Sequence, residues 1–282
     1  MFKTLKEAVK ITNSNIILTI PLIVFVKFID LYSLYTKHAV DFLPKFIIVL
    51  VTVLFVSGIF CSVWFNMIKG AVNNSKKIYV LDNDRTGASL SLFKTMREGI
   101  NNLFLPFVGV YLIFGLIQIV FTQIVYWVGV NLIGVLSSEE LLSIQEIALT
   151  SISEDNSMAV FLDKLSAEQI LFFAEWSLLF ILLTCLVLYL IMLWIPEVVY
   201  NTQNPVKALF KSIVKLFGNF LETFRMFLFL WFVGFVLLFL NTFSMINPFI
   251  YLFMNVILFY FFLFVAICVF LYYNKRFCND EE

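Results

Sequence analysis

The segment NPVKALFKSIVKLFGNF, residues 204–220, carries the pattern that decides the architecture of this chain. Its core, LFKSIVKLFGN, has a near-copy upstream in LFKTMREGINN, and a third version opens the chain as MFKTLKEAVKI. Each copy stands before a long apolar run. We therefore interpret this basic, amphipathic phrase as the start of a repeated structural unit.

The spacing within residues 204–220 predicts an amphipathic helix that lies in a membrane interface. Asn204 is a good N-cap, and Pro205 fits the first helical turn. Apolar residues recur at helical spacing on one face, and lysines recur every four residues on another. Such a helix places its lysines near anionic headgroups. Applied to all three copies, this reasoning predicts a set of inner-leaflet lipid contacts: Lys3, Lys6, Lys10, Lys94, Arg97, Lys207, Lys211 and Lys215.

The composition of the chain is that of a membrane protein. Of its 282 residues, 62% are hydrophobic and 13% are charged, and the mean hydropathy is +0.98. Soluble domains are only about half apolar and about one-quarter charged. A helix needs about 20 apolar residues to cross a bilayer. Six stretches qualify, and the first is expected to be an uncleaved span: 15–36, 46–68, 103–130, 170–195, 221–244 and 248–273.

These stretches predict an all-α integral membrane protein with six transmembrane helices in a single polytopic domain, 1–282. Each amphipathic phrase precedes two of them, so we expect three parallel units, each an interfacial helix followed by a transmembrane hairpin. The unit boundaries would be 1–85, 86–203 and 204–282. Such parallel units differ from the inverted repeats of many transporters. Basic connections also resemble one another by chance, so ancestral repetition is a hypothesis.

The distribution of basic residues predicts the orientation of the chain. Fourteen of the 19 Lys and Arg residues fall in connections on one side of the predicted spans, against three on the other. The positive-inside rule assigns the richer side to the cytoplasm. We expect a multi-pass protein of the bacterial cytoplasmic (inner) membrane with both termini in the cytoplasm. The expected partners are the anionic lipids of the inner leaflet and an unidentified protein, and no nucleic acid.

The sequence offers few of the residues that catalysis or metal binding requires. His38 is the only histidine, so a metal site with several histidine ligands is excluded and a histidine-based catalytic triad is not indicated. The sequence contains no H-E-x-x-H, no G-x-S-x-G and no phosphate-binding glycine loop. The four cysteines are not at metal or redox spacing. We therefore expect neither enzyme activity nor a metal or other cofactor.

Ionisable residues inside the predicted spans are the remaining pointers to function, because a charge in hydrocarbon is costly. Lys27 and Asp30 share a helix face and are expected to pair. Snorkelling and local pairing explain such residues without any function. The alternative is a polar path through the bundle, with these members: Lys27, Asp30, Gln118, Gln123 and Glu175.

Extended backward, the opening segment reads IPEVVYNTQNPVKALFKSIVKLFGNF, residues 195–220. It resembles a signature of YciC-like bacterial inner-membrane proteins and of the membrane domain attached to some glycerophosphodiester phosphodiesterases. The matching positions are Pro196, Pro205, Ala208, Leu209, Ser212 and Gly218-Asn219-Phe220. The resemblance implies a polytopic membrane fold without an assigned activity. The soluble catalytic domain of the phosphodiesterase members has no counterpart in these 282 residues, so their activity is not expected here.

Two functional hypotheses follow from the sequence. The first is a non-catalytic scaffold or accessory protein associated with the envelope or with lipids, which requires basic interfacial helices and few buried charges. The second is a transporter of a small solute or lipid, which requires the polar path. The P-x-[DE]-x-x-[KR] motif of mitochondrial carriers is missing from the ends of the odd-numbered spans, so that transporter family is excluded.

Overall fold

The computed structural model describes residues 2–39, 43–75, 87–88, 90–140, 142–145, 165–244 and 247–278. Regular structure in these ranges is helical, with no strand. Short 3-10 turns at Ile16–Leu18 and Leu92–Thr95 lead into two of the helices. The helices are α1 (Phe2–Ser14), α2 (Thr19–Ala39), α3 (Leu43–Asn74), α4 (Met96–Leu132), α5 (Ala167–Ile191), α6 (Trp194–Tyr200), α7 (Pro205–Gly218), α8 (Phe220–Ser244) and α9 (Pro248–Phe277).

Six helical segments are long and apolar enough to cross a membrane, and each corresponds to one of the predicted stretches. The prediction of an all-α fold with six membrane-spanning helices is therefore confirmed. The segments are Ile16–Thr36, Pro44–Asn74, Leu92–Leu132, Ala167–Tyr200, Phe220–Ser244 and Pro248–Phe277. Several run past the apolar stretch at one end because the helix continues into more polar sequence, as α3 does up to Asn74.

The described chain forms two compact units. The first unit comprises Met1–Ile113 and Tyr189–Glu282, and in it α9 packs against α1, α3 and α8. The second unit, Phe114–Leu188, holds the later part of α4 and most of α5, where the indole of Trp176 fills the space beside Gly129. This division does not follow the boundaries at 85/86 and 203/204, and the arrangement in three units is not confirmed.

The three copies of the amphipathic phrase adopt different structures. The first and third copies form separate helices, α1 and α7, which end near asparagines. The second copy forms a 3-10 turn and then continues directly into α4. Gly99 of this copy is buried against α3, where a Cβ atom would lie 2.8 Å from the backbone oxygen of Ser62. This glycine therefore permits a close helix crossing, and it does not end a helix as Gly218 does.

Candidate functional site

A fully buried carboxylate lies where α6, α7 and α9 meet in the first unit. Glu197 has no exposed surface, and its Oε2 atom lies 2.7 Å from Nζ of Lys215. Tyr273 donates its hydroxyl to the same carboxylate oxygen. The hydroxyl oxygen of Tyr273 accepts hydrogen bonds from Lys215 Nζ and from Asn201 Nδ2, each at 2.6 Å. We call these four residues, Glu197, Asn201, Lys215 and Tyr273, the Glu197 cluster.

The Glu197 cluster meets the conditions under which buried charges are tolerated. A buried carboxylate is costly unless it is paired and hydrogen-bonded, and Glu197 has both an ammonium and a hydroxyl. The ammonium of Lys215 also lies 4.8 Å from the ring centroid of Tyr273 and 5.2 Å from that of Phe277, as in cation–π contacts. The cluster therefore joins three helices through one compensated pair of charges.

The segment that carries the family resemblance builds this junction. Pro196 and Glu197 stand in the short helix α6, and the indole nitrogen of Trp194 donates to the Pro205 carbonyl oxygen at 2.9 Å. Asn204 caps α7 as predicted, because its side chain accepts a hydrogen bond from the Lys207 backbone at 3.0 Å. The matching positions Ala208 and Ser212 are fully buried. Much of the signature thus serves the packing of α6 and α7.

Helix α7 has two apolar faces, of which one packs on the described part of the protein and the other is exposed there. The packed face consists of Ala208, Ser212 and Leu216, one turn apart and fully buried. The other face is an apolar row that is 49% to 71% exposed, and we call it the exposed stripe: Val206, Phe210, Val214 and Phe217. The side chains of Lys207 and Lys211 are exposed beside this stripe. The ammonium of Lys215, in contrast, belongs to the Glu197 cluster, a partner that the lysine spacing did not indicate.

The other predicted lipid contacts lie on exposed surfaces of the first unit. Helix α1 buries Leu5, Ala8 and Ile11 and packs on α9, and Glu7 forms an ion pair with Lys275. The basic residues of the first two copies have exposed side chains: Lys3, Lys6, Lys10, Lys94 and Arg97.

A polar cavity of about 330 Å³ lies beside the Glu197 cluster in the first unit. One wall is α3, with Asn66 and Lys69; the second is the start of α4, with Glu98 and Asn102. The third wall is the chain from α6 to α7, residues 198–203. Two contacts set this geometry: the Asn66 amide donates to the Thr95 carbonyl oxygen at 3.2 Å, and Gly99 allows α4 to approach α3.

Of the five residues of the predicted polar path, the structure brings two together. Nζ of Lys27 lies 3.2 Å from Oδ2 of Asp30, with side chains 62% and 58% exposed. Gln118, Gln123 and Glu175 have exposed side chains and belong to the second unit. The expected local pair is thus present. That this pair forms a polar path together with Gln118, Gln123 and Glu175 stays a prediction.

Sequence reasoning missed the Glu197 cluster and the cavity. Glu197 was visible as a carboxylate just after an apolar run, which is a signal for a buried partner. Tyr273 lies 76 residues further along the chain, and no spacing rule connects the two. Lys69 is one of several basic residues in the connection between the second and third predicted spans, and its sequence neighbours gave no sign that it lines a cavity.

Comparisons of this chain with protein-family models, with curated proteins and with solved structures yield no match. The resemblance of residues 195–220 to YciC-like inner-membrane proteins therefore stays a prediction from that segment.

Proposed function

We propose that this integral membrane protein is a non-catalytic accessory or scaffold protein of the bacterial inner membrane. Its basic surfaces would rest on the anionic lipids of the cytoplasmic leaflet, and it would hold a protein partner there. The observation that carries the proposal is the double-faced helix α7, which packs on the bundle by one face and leaves the exposed stripe uncovered.

The exposed stripe has the chemistry of a membrane-interface surface. Aliphatic and aromatic side chains of such a helix enter the boundary between headgroups and acyl chains, while lysines reach anionic headgroups. Lys207 and Lys211 lie one turn apart between the stripe and the packed face. Because the packed face is fixed by the Glu197 cluster, α7 is held in one orientation for this contact.

The charge distribution supports the same orientation for the whole chain. Helix α1 exposes Lys3, Lys6 and Lys10, and the C-terminal turn of α9 carries Lys275 and Arg276. Basic residues concentrate on the cytoplasmic side of membrane proteins. Both termini would then lie in the cytoplasm together with α7.

The test is extraction of the tagged chain from native membranes into lipid nanodiscs, followed by native mass spectrometry. The proposal predicts one protein partner at a fixed stoichiometry together with anionic lipid. The double variant Lys207→Gln/Lys211→Gln should lower the fraction of anionic lipid without loss of the chain from the membrane. A chain that is recovered without any protein partner would contradict the accessory function.

The second candidate is a transporter of a small solute or lipid, and the Lys27–Asp30 pair favours it. The pair lies in the second half of the candidate span Ile16–Thr36 and is exposed on the described chain. Charges at such depth mark transport paths in many membrane proteins. Uptake into proteoliposomes that is abolished by Lys27→Gln/Asp30→Asn, with insertion unchanged, would favour transport.

A further inference from the structure

Lys69 presents a half-buried ammonium to the polar cavity. Its Nζ atom donates to the Val199 carbonyl oxygen at 2.9 Å and lies 5.2 Å from the ring centroid of Tyr200. No carboxylate within the described part of the chain is at ion-pair distance from it. The cavity therefore contains a positive charge that forms no ion pair with a described carboxylate.

The bond to Val199 accounts for only part of the hydrogen-bonding capacity of Lys69. A cation near the last carbonyl groups of a helix is favourable, and Val199 stands at the end of α6. An ammonium has three N–H donors, however, and this contact uses one. A partly desolvated cation with donors to spare favours an anionic group beside it.

A negative charge stands on a second wall of the cavity. Glu98 lines the same cavity, in the first turn of α4, and Asn102 follows one turn later on the same face. Among the described residues no cation forms an ion pair with Glu98. A ligand with only negative charge would be repelled by this carboxylate. A ligand with charges of both signs can pair its anionic group with Lys69 and its cationic group with Glu98.

The neutral lining and the size of the cavity fit such a ligand. The amides of Asn66, Asn102 and Gln203 and the hydroxyl of Thr202 supply further donors and acceptors to the cavity lining. A volume of about 330 Å³ is at the lower end of the range for small-molecule sites, roughly 300–1,000 Å³. The cavity therefore suits a compact polar group.

We infer that this cavity binds a small zwitterion in which an anionic phosphate contacts Lys69 and a primary ammonium contacts Glu98. The headgroup of phosphatidylethanolamine has this chemistry, and so does soluble phosphoethanolamine. Lys69 and Glu98 both stand near the ends of candidate membrane spans, which is the depth of lipid headgroups. This site is distinct from the lysine-bordered stripe of α7.

The experiment uses the full chain, with lipids that differ only in the amine. The purified protein is reconstituted with equal amounts of phosphatidylethanolamine and phosphatidylcholine of the same acyl chains, and retained lipid is counted by native mass spectrometry. The trimethylated amine of phosphatidylcholine cannot donate a hydrogen bond to Glu98. We expect retention of one phosphatidylethanolamine with a preference of about tenfold, the factor expected for one charge-assisted hydrogen bond.

Two variants separate the roles of the two walls. Glu98→Gln should remove the preference between the two lipids while retention of a phosphate-bearing lipid persists. Lys69→Gln should lower the retention of both lipids by about tenfold. Glu168→Gln changes an exposed carboxylate outside the cavity and serves as the matched control for Glu98→Gln. Thermal unfolding of each variant establishes that it is folded.

Soluble phosphoethanolamine distinguishes the two sources of the ligand. It is titrated into protein in nanodiscs of phosphatidylcholine alone, with the unfolding temperature as the readout. A rise in this temperature that Glu98→Gln abolishes assigns the site to a solute, and no rise together with retained phosphatidylethanolamine assigns it to a lipid. Equal retention of the two lipids by the wild type, without any effect of phosphoethanolamine, would overturn the inference. A Glu98→Gln variant with the same lipid preference as the wild type would overturn it as well.

Discussion

Glu197 and Lys215 form an ion pair of 2.7 Å in which the Glu197 side chain is wholly buried and the Lys215 side chain is 25% exposed. The pair joins α6 to α7. The hydroxyl of Tyr273 links α9 to both, because it donates to Glu197 and accepts from Lys215. The basic, amphipathic helix α7 is therefore attached to the bundle by one of its own lysines.

Replacement of that lysine should destabilise the protein strongly. Lys215→Met removes the ammonium and leaves the Glu197 carboxylate buried without its charge partner, which costs about 3–5 kcal/mol. We expect a clear fall in the unfolding temperature of the purified protein in detergent or nanodiscs.

The exposed neighbour Lys211 provides the matched control for this variant. Lys211→Met changes the same residue type one turn away, and the expected effect is within about 0.5 kcal/mol. The double variant Glu197→Gln/Lys215→Met should regain part of the lost stability, because it leaves no unpaired charge. Equal stability of Lys215→Met and Lys211→Met would show that the ion pair has no structural role.

Two adjacent tyrosines allow a sharp test of the hydroxyl in the cluster. Tyr273→Phe removes one donor to Glu197 and one acceptor for Lys215, with an expected loss of about 1.5–3 kcal/mol. The buried hydroxyl of Tyr272 has no hydrogen-bond partner among the described residues, so Tyr272→Phe should be neutral or slightly stabilising. Thermal unfolding of both variants decides the matter, and a larger loss for Tyr272→Phe would contradict the geometry.

The crossing of α3 and α4 should not accept a methyl group at position 99. In Gly99→Ala the added Cβ atom would lie 2.8 Å from the Ser62 backbone oxygen and 3.1 Å from the Asn66 Cβ atom. Neither atom is at the end of a flexible side chain, so we expect a loss of about 1–3 kcal/mol. In Gly115→Ala, in the same helix, the added Cβ atom has no atom of the described residues within 4 Å, so this variant is the control. Identical unfolding curves for the two variants would contradict the close crossing.

Anionic lipid should gather around α7 in proportion to its exposed lysines. Each lysine near an anionic surface adds about 1 kcal/mol of attraction. Lys207→Gln/Lys211→Gln should therefore lower the enrichment of phosphatidylglycerol over phosphatidylcholine around the reconstituted protein, measured by lipid mass spectrometry. Raised ionic strength should reduce the wild-type enrichment as well, because salt screens exposed charges. An enrichment that neither change affects would place the lipid contact elsewhere.

The charges of Lys27 and Asp30 should be more costly alone than together. Asp30→Asn or Lys27→Gln leaves one uncompensated charge inside a candidate span, whereas the double variant leaves none. A double-mutant cycle on unfolding temperature or on membrane insertion should give a favourable coupling between the two positions. Strict additivity of the two single variants would indicate that the side chains do not interact in the membrane.

The membrane fold was predictable because its signal is local. A run of about 20 apolar residues specifies a spanning helix without any knowledge of its neighbours. The N-cap at Asn204 and the pairing of Lys27 with Asp30 depend on residues three apart and were equally visible. In each of these cases the interacting groups belong to the same helix or its cap.

The Glu197 cluster and the form of the second copy were not predictable, since both depend on tertiary contacts. Helical periodicity places Lys215 on a face of α7, but it does not say which face another helix covers. The role of Gly99 also depends on α3, whose Ser62 and Asn66 lie directly against it. The cavity likewise gathers α3, α4 and the chain from α6 to α7, regions that are distant in sequence.

The short helix α6 is fastened at several points to other elements. Lys69 holds its last turn at Val199, Lys215 and Tyr273 hold Glu197, and Trp194 bonds to the start of α7. The stretch 201–204 must therefore bridge two fixed points. During evolutionary divergence we expect this stretch to keep its length, together with Asn201, which donates to Tyr273, and Asn204, which caps α7, because a residue inserted or deleted between the two fixed points would displace Lys215 from Glu197.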